Sequence, residues 1–250
     1  MTNNLQPHIR LGQGLDVEYA LLPGDPQRVL RVAQFLDHPR ELANNREYRT
    51  ILGSYKGVNV LVTSTGIGGA STGIAVEELK NIGIKAMIRI GSCGAMQDHI
   101  RLGNLIIATG AVRNDGASDA YVERGYPAIP DAELLFHLIG SAKRLGNAYH
   151  YGPIRSHDSF YTDEEQEIDS FWAKKGVLAA DMETAALFVI GGLRKLKVAS
   201  ILNVVVEADG NLEGGINDYV DQTHASTQGE ESEIITALEA FVAYRNWSIN

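Results

Sequence analysis

Short apolar runs rich in valine and isoleucine recur along the chain, at Val58–Val62, Met87–Ile90, Leu105–Ala108 and Ile201–Val206. Short runs of this composition fit strands that are buried on both faces. Between them the apolar residues fall at helical spacing. Ser71–Ile82 reads as a helix stopped by Gly83 and Ala132–Leu145 as one stopped by Gly146, because glycine readily takes the left-handed conformation that ends a helix. Met182–Leu196 reads as a third, with Arg194, Lys195 and Lys197 at its negative end. From Glu231 to Trp247, residues Ile234, Ile235, Leu238, Phe241, Val242 and Arg245 recur at helical spacing and predict an amphipathic closing helix. Strands alternating with helices predict an α/β fold, with a largely parallel mixed sheet flanked by helices on both sides. Ligands of such sheets bind beyond the carboxyl ends of the strands, so the functional residues are expected just after them. The Gly-rich stretch Ala208–Gly215 reads as a loop between a strand and the closing helix, not as a domain boundary.

Composition narrows this picture. A chain of 250 residues with 44% hydrophobic content fits one domain spanning 1–250. Its formal net charge of −9 argues against nucleic acid or an anionic membrane as the main partner, since both select an excess of lysine and arginine. There is no apolar run long enough for a membrane span, and the polar start Met1-Thr2-Asn3-Asn4 lacks the pattern of a signal peptide. A cytoplasmic protein is expected. The single cysteine, Cys93, forms no intramolecular disulfide or cysteine-rich metal site and reads as a small buried apolar residue.

Three segments carry candidate chemistry. In Leu22-Pro23-Gly24-Asp25-Pro26-Gln27-Arg28 an apolar run breaks and then presents an arginine. Backbone amides and a guanidinium in such a turn can face one anion, although a tight turn with a solvated arginine is the simpler account of this segment taken alone. The segment Thr63–Ile74 joins a strand to a helix through Gly66, Gly68, Gly69 and Gly73. It has neither dinucleotide-binding nor P-loop spacing, and reads as a structural turn or a ligand-facing loop. In Ile88-Arg89-Ile90-Gly91-Ser92-Cys93-Gly94 an arginine sits inside an apolar strand. A buried arginine needs a partner, either an oxyanion at the strand end or an internal carboxylate.

Together with Ser64–Leu79, these segments resemble the hexameric nucleoside phosphorylases, the family of uridine phosphorylases and bacterial and protozoan purine nucleoside phosphorylases. The likeness runs from about Leu21 to Val206. It implies that Gly24, Arg28, Arg89 and Ser92 hold phosphate, and that Arg46, in Asn44-Asn45-Arg46-Glu47-Tyr48, acts in the neighbouring subunit's site. It matches His8 to a histidine that reaches the ribose 5′-hydroxyl, and Asp181-Met182-Glu183 to the ribose-binding Glu-Met-Glu. Met182 then packs on the sugar, Glu183 accepts from its hydroxyls, and Phe160 stacks on the base. A glutamate at a helix start also interacts favourably with the helix dipole, which is the simpler account of Glu183 alone. The resemblance further implies a homo-oligomer built from dimers, a hexamer in the family, with nucleoside and phosphate as its small-molecule partners.

The implied reaction is phosphate-dependent cleavage of a nucleoside to free base and ribose 1-phosphate. It builds positive charge on the sugar, which a phosphate dianion held beneath it stabilises and then captures. Preorganised charges, Arg89 among them, supply the catalysis without metal or cofactor, and phosphate is a co-substrate. Uridine phosphorylases read uracil with a glutamine and an arginine soon after the Phe-Tyr pair; Glu164 and Gln166 stand here. The last strand runs into Glu207-Ala208-Asp209-Gly210, where either carboxylate can protonate a leaving purine or simply be a solvated loop acid. Purine nucleosides are therefore expected to be preferred. The alternatives are a uridine phosphorylase with an unconventional base pocket and a non-catalytic nucleoside-binding homologue.

Overall fold

The computed structural model describes residues 5–210 and 224–248. Nine strands form one sheet in the order β2-β3-β4-β1-β5-β8-β7-β6-β9 among the described residues. They are β1 (Tyr19–Pro23), β2 (Asp37–Asn45), β3 (Tyr48–Tyr55), β4 (Val58–Thr63), β5 (Ala86–Ala95), β6 (Leu105–Asn114), β7 (Tyr149–His157), β8 (Ala179–Asp181) and β9 (Lys197–Val206). The helices are α1 (Pro26–Ala33), α2 (Gly69–Asn81), α3 (Gly116–Asp119), α4 (Ala132–Leu145), α5 (Glu165–Ala173), α6 (Thr184–Leu193) and α7 (His224–Ser248).

The single-domain α/β fold with a mixed sheet is as expected. Because β-strand side chains alternate between faces, the strands feed two cores. Ala20, Leu22, Leu61 and Met87 pack toward α2 and α6. Leu21, Val60, Val62, Ile88 and Ile90 pack toward α1, α4 and α7. The glycine stops hold: Gly146 caps α4 with φ 73°, and Gly83 follows α2 with φ 110°. The opposite end of α4 is fixed by Asp131, whose side chain accepts from the Leu134 amide at 3.0 Å.

Besides the closing helix, which starts at His224 and not at Glu231, two features depart from the reading of the sequence. The strand at Met87–Ile90 continues to Ala95, and beyond a register shift at Cys93/Gly94 it pairs with both β9 and β8. Since β9 also pairs with β6, β6 with β7 and β7 with β8, these five strands close into a ring. The second departure is β2, Asp-His-Pro-Arg-Glu-Leu-Ala-Asn-Asn, which has almost no apolar pattern because it is an exposed edge strand. Part of the loop expected at Ala208–Gly215 lies outside the described residues.

Candidate active site

The parallel register of β1 and β5 sets Pro23 beside Ile90, so Gly24 leaves β1 where Gly91 and Ser92 continue β5. Asp25 then starts α1, its side chain accepting from the Gln27 amide at 2.8 Å with Pro26 in the first turn. That cap turns Arg28 inward, where it is 3% exposed. The glycine loop is fastened to the same turn: the Thr65 amide donates to Pro23 O at 2.9 Å and the Gly66 amide to Gly24 O at 3.0 Å. Gly66 has φ 73°, and a Cβ there would strike the side chain of Glu47 at 2.8 Å. Gly24, Arg28, Arg89 and Ser92 thus converge on one sheet edge, with Gly24 and Ser92 half-buried.

Arg89 finds internal carboxylates. Its Nε donates to Asp181 Oδ2 at 2.9 Å, and its Nη2 lies 2.5 Å from Glu183 Oε2. Its Nη1 is buried with no hydrogen-bond partner among the described residues. Pairing satisfies most of the desolvated charge and leaves one buried donor unsatisfied among the described residues. Asp181 is a structural hub: it also accepts from Ser156 Oγ at 2.6 Å and from Thr184 N at 3.1 Å and Oγ1 at 2.6 Å, which starts α6. Glu183 accepts the Gly68 amide at 2.6 Å. One of the four loop glycines therefore orients the ribose candidate, whereas Gly69 leaves room for Ala117 and Ala186. Burial pushes the Glu183 carboxyl above its ordinary range, against the opposing pull of Arg89.

Arg46, expected in the neighbouring subunit's site, and His8, matched to the ribose 5′-hydroxyl, lie on segments that are hydrogen-bonded to each other. Arg46 is exposed at the turn between β2 and β3, with φ 56°. In the same hairpin Asn45 donates to His8 O at 2.7 Å. The His8 ring lies 2.6 Å from Glu78 Oε1, and the His8 and Ile9 amides donate to the same carboxylate. Met182 and Phe160 are half-buried, and Phe160 meets exposed Tyr161 edge-on at 4.9 Å. Glu207 is bound to the β5–β6 loop, accepting from the Leu102 amide at 3.1 Å and from Arg101 at 3.4 Å. Asp209 is exposed.

Three groups escaped the reading of the sequence. Glu230 and Glu233 of α7 enter the site, Glu230 accepting from Arg28 Nε at 2.9 Å and from Arg31. The signal was present: Glu230, Glu233, Ala237 and Phe241 share one helix face, so the acids run in register with the buried stripe. The third is Arg155 on β7, 6% exposed, donating to Asn114 at 3.0 Å and standing 3.7 Å from Asp169 on α5. Burial lowers its pKa, and its Nη1 has no hydrogen-bond partner among the described residues.

The phosphorylase superfamily profile matches residues 18–243, from the start of β1 through most of α7. The chain belongs to the phosphorylase superfamily. It is similar to guanosine phosphorylase of Halorubrum lacusprofundi, at 40% identity over 84% of this chain and 85% of that protein. Uridine phosphorylase of Thermococcus kodakarensis is 38% identical over 97% of this chain and 88% of its own length. A crystal structure of uridine phosphorylase from Vibrio fischeri superposes with a TM-score of 0.90 at 47% identity, covering 97% and 99% of the two chains. Membership makes this phosphorylase a pentosyltransferase of the nucleoside phosphorylase fold. Among its described residues no helix is long and apolar enough to cross a membrane, and no group of three or more metal-ligating side chains is assembled.

Proposed function

We propose that the enzyme cleaves nucleosides with inorganic phosphate, releasing the base and ribose 1-phosphate, in the cytoplasm and without a metal or cofactor. The observation that carries this is the buried Arg89 Nη1, without a hydrogen-bond partner among the described residues, on the strand whose end lies beside Gly24 and carries Ser92. A phosphate oxygen there faces fixed donors. Glu183, held by Gly68 and Arg89, accepts from the ribose hydroxyls, and Met182 covers the sugar. As the glycosidic bond lengthens, the phosphate beneath the ribose stabilises the developing cation and captures it. The hairpin bearing Arg46, tied to the segment of His8, supports a dimer in which both residues reach the neighbour's site, and a hexamer assembled from such dimers. Turnover is expected to saturate with phosphate and to yield ribose 1-phosphate. Equal turnover in phosphate-free buffer, with free ribose as product, sinks the proposal.

For the base we propose a purine bearing a carbonyl, as in guanosine and inosine. Phe160 stacks on it. Arg155, on the strand that leads to Phe160, supplies a buried donor suited to a carbonyl oxygen. Asp209 is the proposed proton donor, because Glu207 is engaged by Arg101 and the Leu102 amide. General acid catalysis contributes about 10²–10⁴-fold, so Asp209→Asn is expected to lose that much kcat on inosine, with Glu207→Gln affected less. Near-normal turnover by both variants removes the acid from this loop. A second reading, uridine as preferred substrate, is favoured by the likeness to the Vibrio fischeri uridine phosphorylase structure. Comparing kcat/KM for guanosine, inosine, adenosine and uridine decides between them.

A further inference from the structure

The phosphate edge is lined by more carboxylates than its arginines can balance. Arg89 faces Asp181 and Glu183, and Arg28 faces Glu230. Glu233 adds another, completely buried under α7. Its Oε1 accepts the Gly91 amide at 2.5 Å, on the strand segment that joins Arg89 to Ser92. Its Oε2 stands 3.9 Å from Arg28 Nη1, beyond hydrogen-bond reach, and has no hydrogen-bond partner among the described residues. Buried polar atoms are nearly always satisfied, and here two that are not, Arg89 Nη1 and Glu233 Oε2, border the same edge from β5 and α7.

We propose that Glu233 binds phosphate as a neutral carboxylic acid, accepting the Gly91 amide through Oε1 and donating its proton from Oε2 to a phosphate oxygen. This rests on the phosphate reading above. An ionised Glu233 offers only lone pairs and a charge of the same sign as the ligand, whereas the protonated form supplies a donor that an oxyanion can accept. The amide on Oε1 makes that atom the carbonyl oxygen, so the proton resides on Oε2. The groups facing Glu233 are Arg28 from α1, Arg89 and Cys93 from β5, and Glu230 from its own helix. Burial outweighs the two arginines and, with Glu230, pushes the carboxyl up to about 8. Phosphate binding is thereby coupled to one proton on the protein, and raising the pH through that range turns a donor into a repelling charge.

The test measures KM for inorganic phosphate from pH 6.5 to 9.5 in the wild type, Glu233→Gln and Glu233→Ala. One-proton linkage around pH 8 predicts a wild-type KM about tenfold higher at pH 9 than at pH 7, beyond the change from phosphate's own ionisation, which all three proteins share. Glu233→Gln keeps a donor and is expected to stay within a few-fold of the wild type at pH 7 and to lose the extra rise. Glu233→Ala, lacking the donor, is expected to have a KM raised about tenfold at pH 7. Thermal melts give a reading independent of turnover. The folded carboxyl keeps its proton to about pH 8, whereas the unfolded chain releases it near 4.5. This group's contribution to stability therefore falls as pH rises from about 4.5 to 8 and then levels, and that slope disappears in Glu233→Gln. Parallel KM profiles for the wild type and Glu233→Gln, or an unchanged KM in Glu233→Ala, overturn the proposal while leaving the phosphate site intact. A wild type that never saturates with phosphate overturns the phosphate reading itself, and this proposal with it.

Discussion

Replacing Arg89 by alanine is expected to lower phosphate-dependent kcat/KM by at least about 10²–10³-fold, the usual loss for one preorganised donor to a reacting oxyanion, and to weaken the fold as well. Both effects follow from one geometry. The Nη1 donor is buried with no partner among the described residues, while Nε and Nη2 neutralise Asp181 and Glu183. Removing the guanidinium leaves two buried carboxylates facing each other across a cavity, and breaking a buried pair in this way costs about 3–5 kcal/mol. In a chain of this size that is a fall in Tm on the order of 10 °C. Arg89→Lys separates the two contributions. A lysine retains the positive charge and part of the stability, but lacks the planar fork that serves two carboxylates and a ligand at once. Its melting temperature should recover further than its turnover. An alanine variant with wild-type KM for phosphate would place the anion elsewhere.

The second large effect is complementation between subunits. Arg46→Ala and Glu183→Ala are each expected to be nearly inactive, one lacking the arginine proposed to be lent across a dimer, the other the group proposed to orient the ribose. In a mixed dimer the two lesions fall in the same site, and the second site regains both groups. Equal random mixing makes half the dimers hybrid with one good site in two, so about a quarter of wild-type activity should return. The recovery requires subunit exchange, which native mass spectrometry follows. Hybrid dimers that form and remain inactive would show that Arg46 does not serve the neighbour's phosphate. The connection of the Arg46 hairpin to His8 through Asn45 makes a further comparison possible: His8→Ala should behave like Arg46→Ala in the same mixing experiment.

Much of the fold was legible because its signals are local. The helix Ala132–Leu145 agrees with α4 at both ends, since Asp131 and Gly146 each fix their end through neighbouring backbone. The strands at Val58–Val62 and Leu105–Ala108 were marked by short runs rich in valine and isoleucine, as a sheet covered on both faces favours. The edge strand β2 was not legible, because a strand with little to bury needs no apolar pattern. Of the candidate site, Gly24 and Arg28 announced themselves as a turn and an arginine after an apolar run, and Arg89 and Ser92 as an arginine inside an apolar strand and a serine just after it. Glu233 was harder to place, because its register with the buried stripe of α7 is visible in the sequence whereas the groups it is buried against are not.

The sequence by itself determined the α/β class, both ends of α4, and the placing of one arginine after a turn and another within an apolar strand, since each depends on residues close in the chain. Tertiary structure decided what those arginines meet. Arg89 and Asp181 are 92 positions apart, Gly91 and Glu233 142, and Arg28 and Glu230 202. Such pairs form only where the strands of the ring and the closing helix α7 bring distant backbone to one edge. Local periodicity records that a face is buried, but not which carboxylate is buried against it.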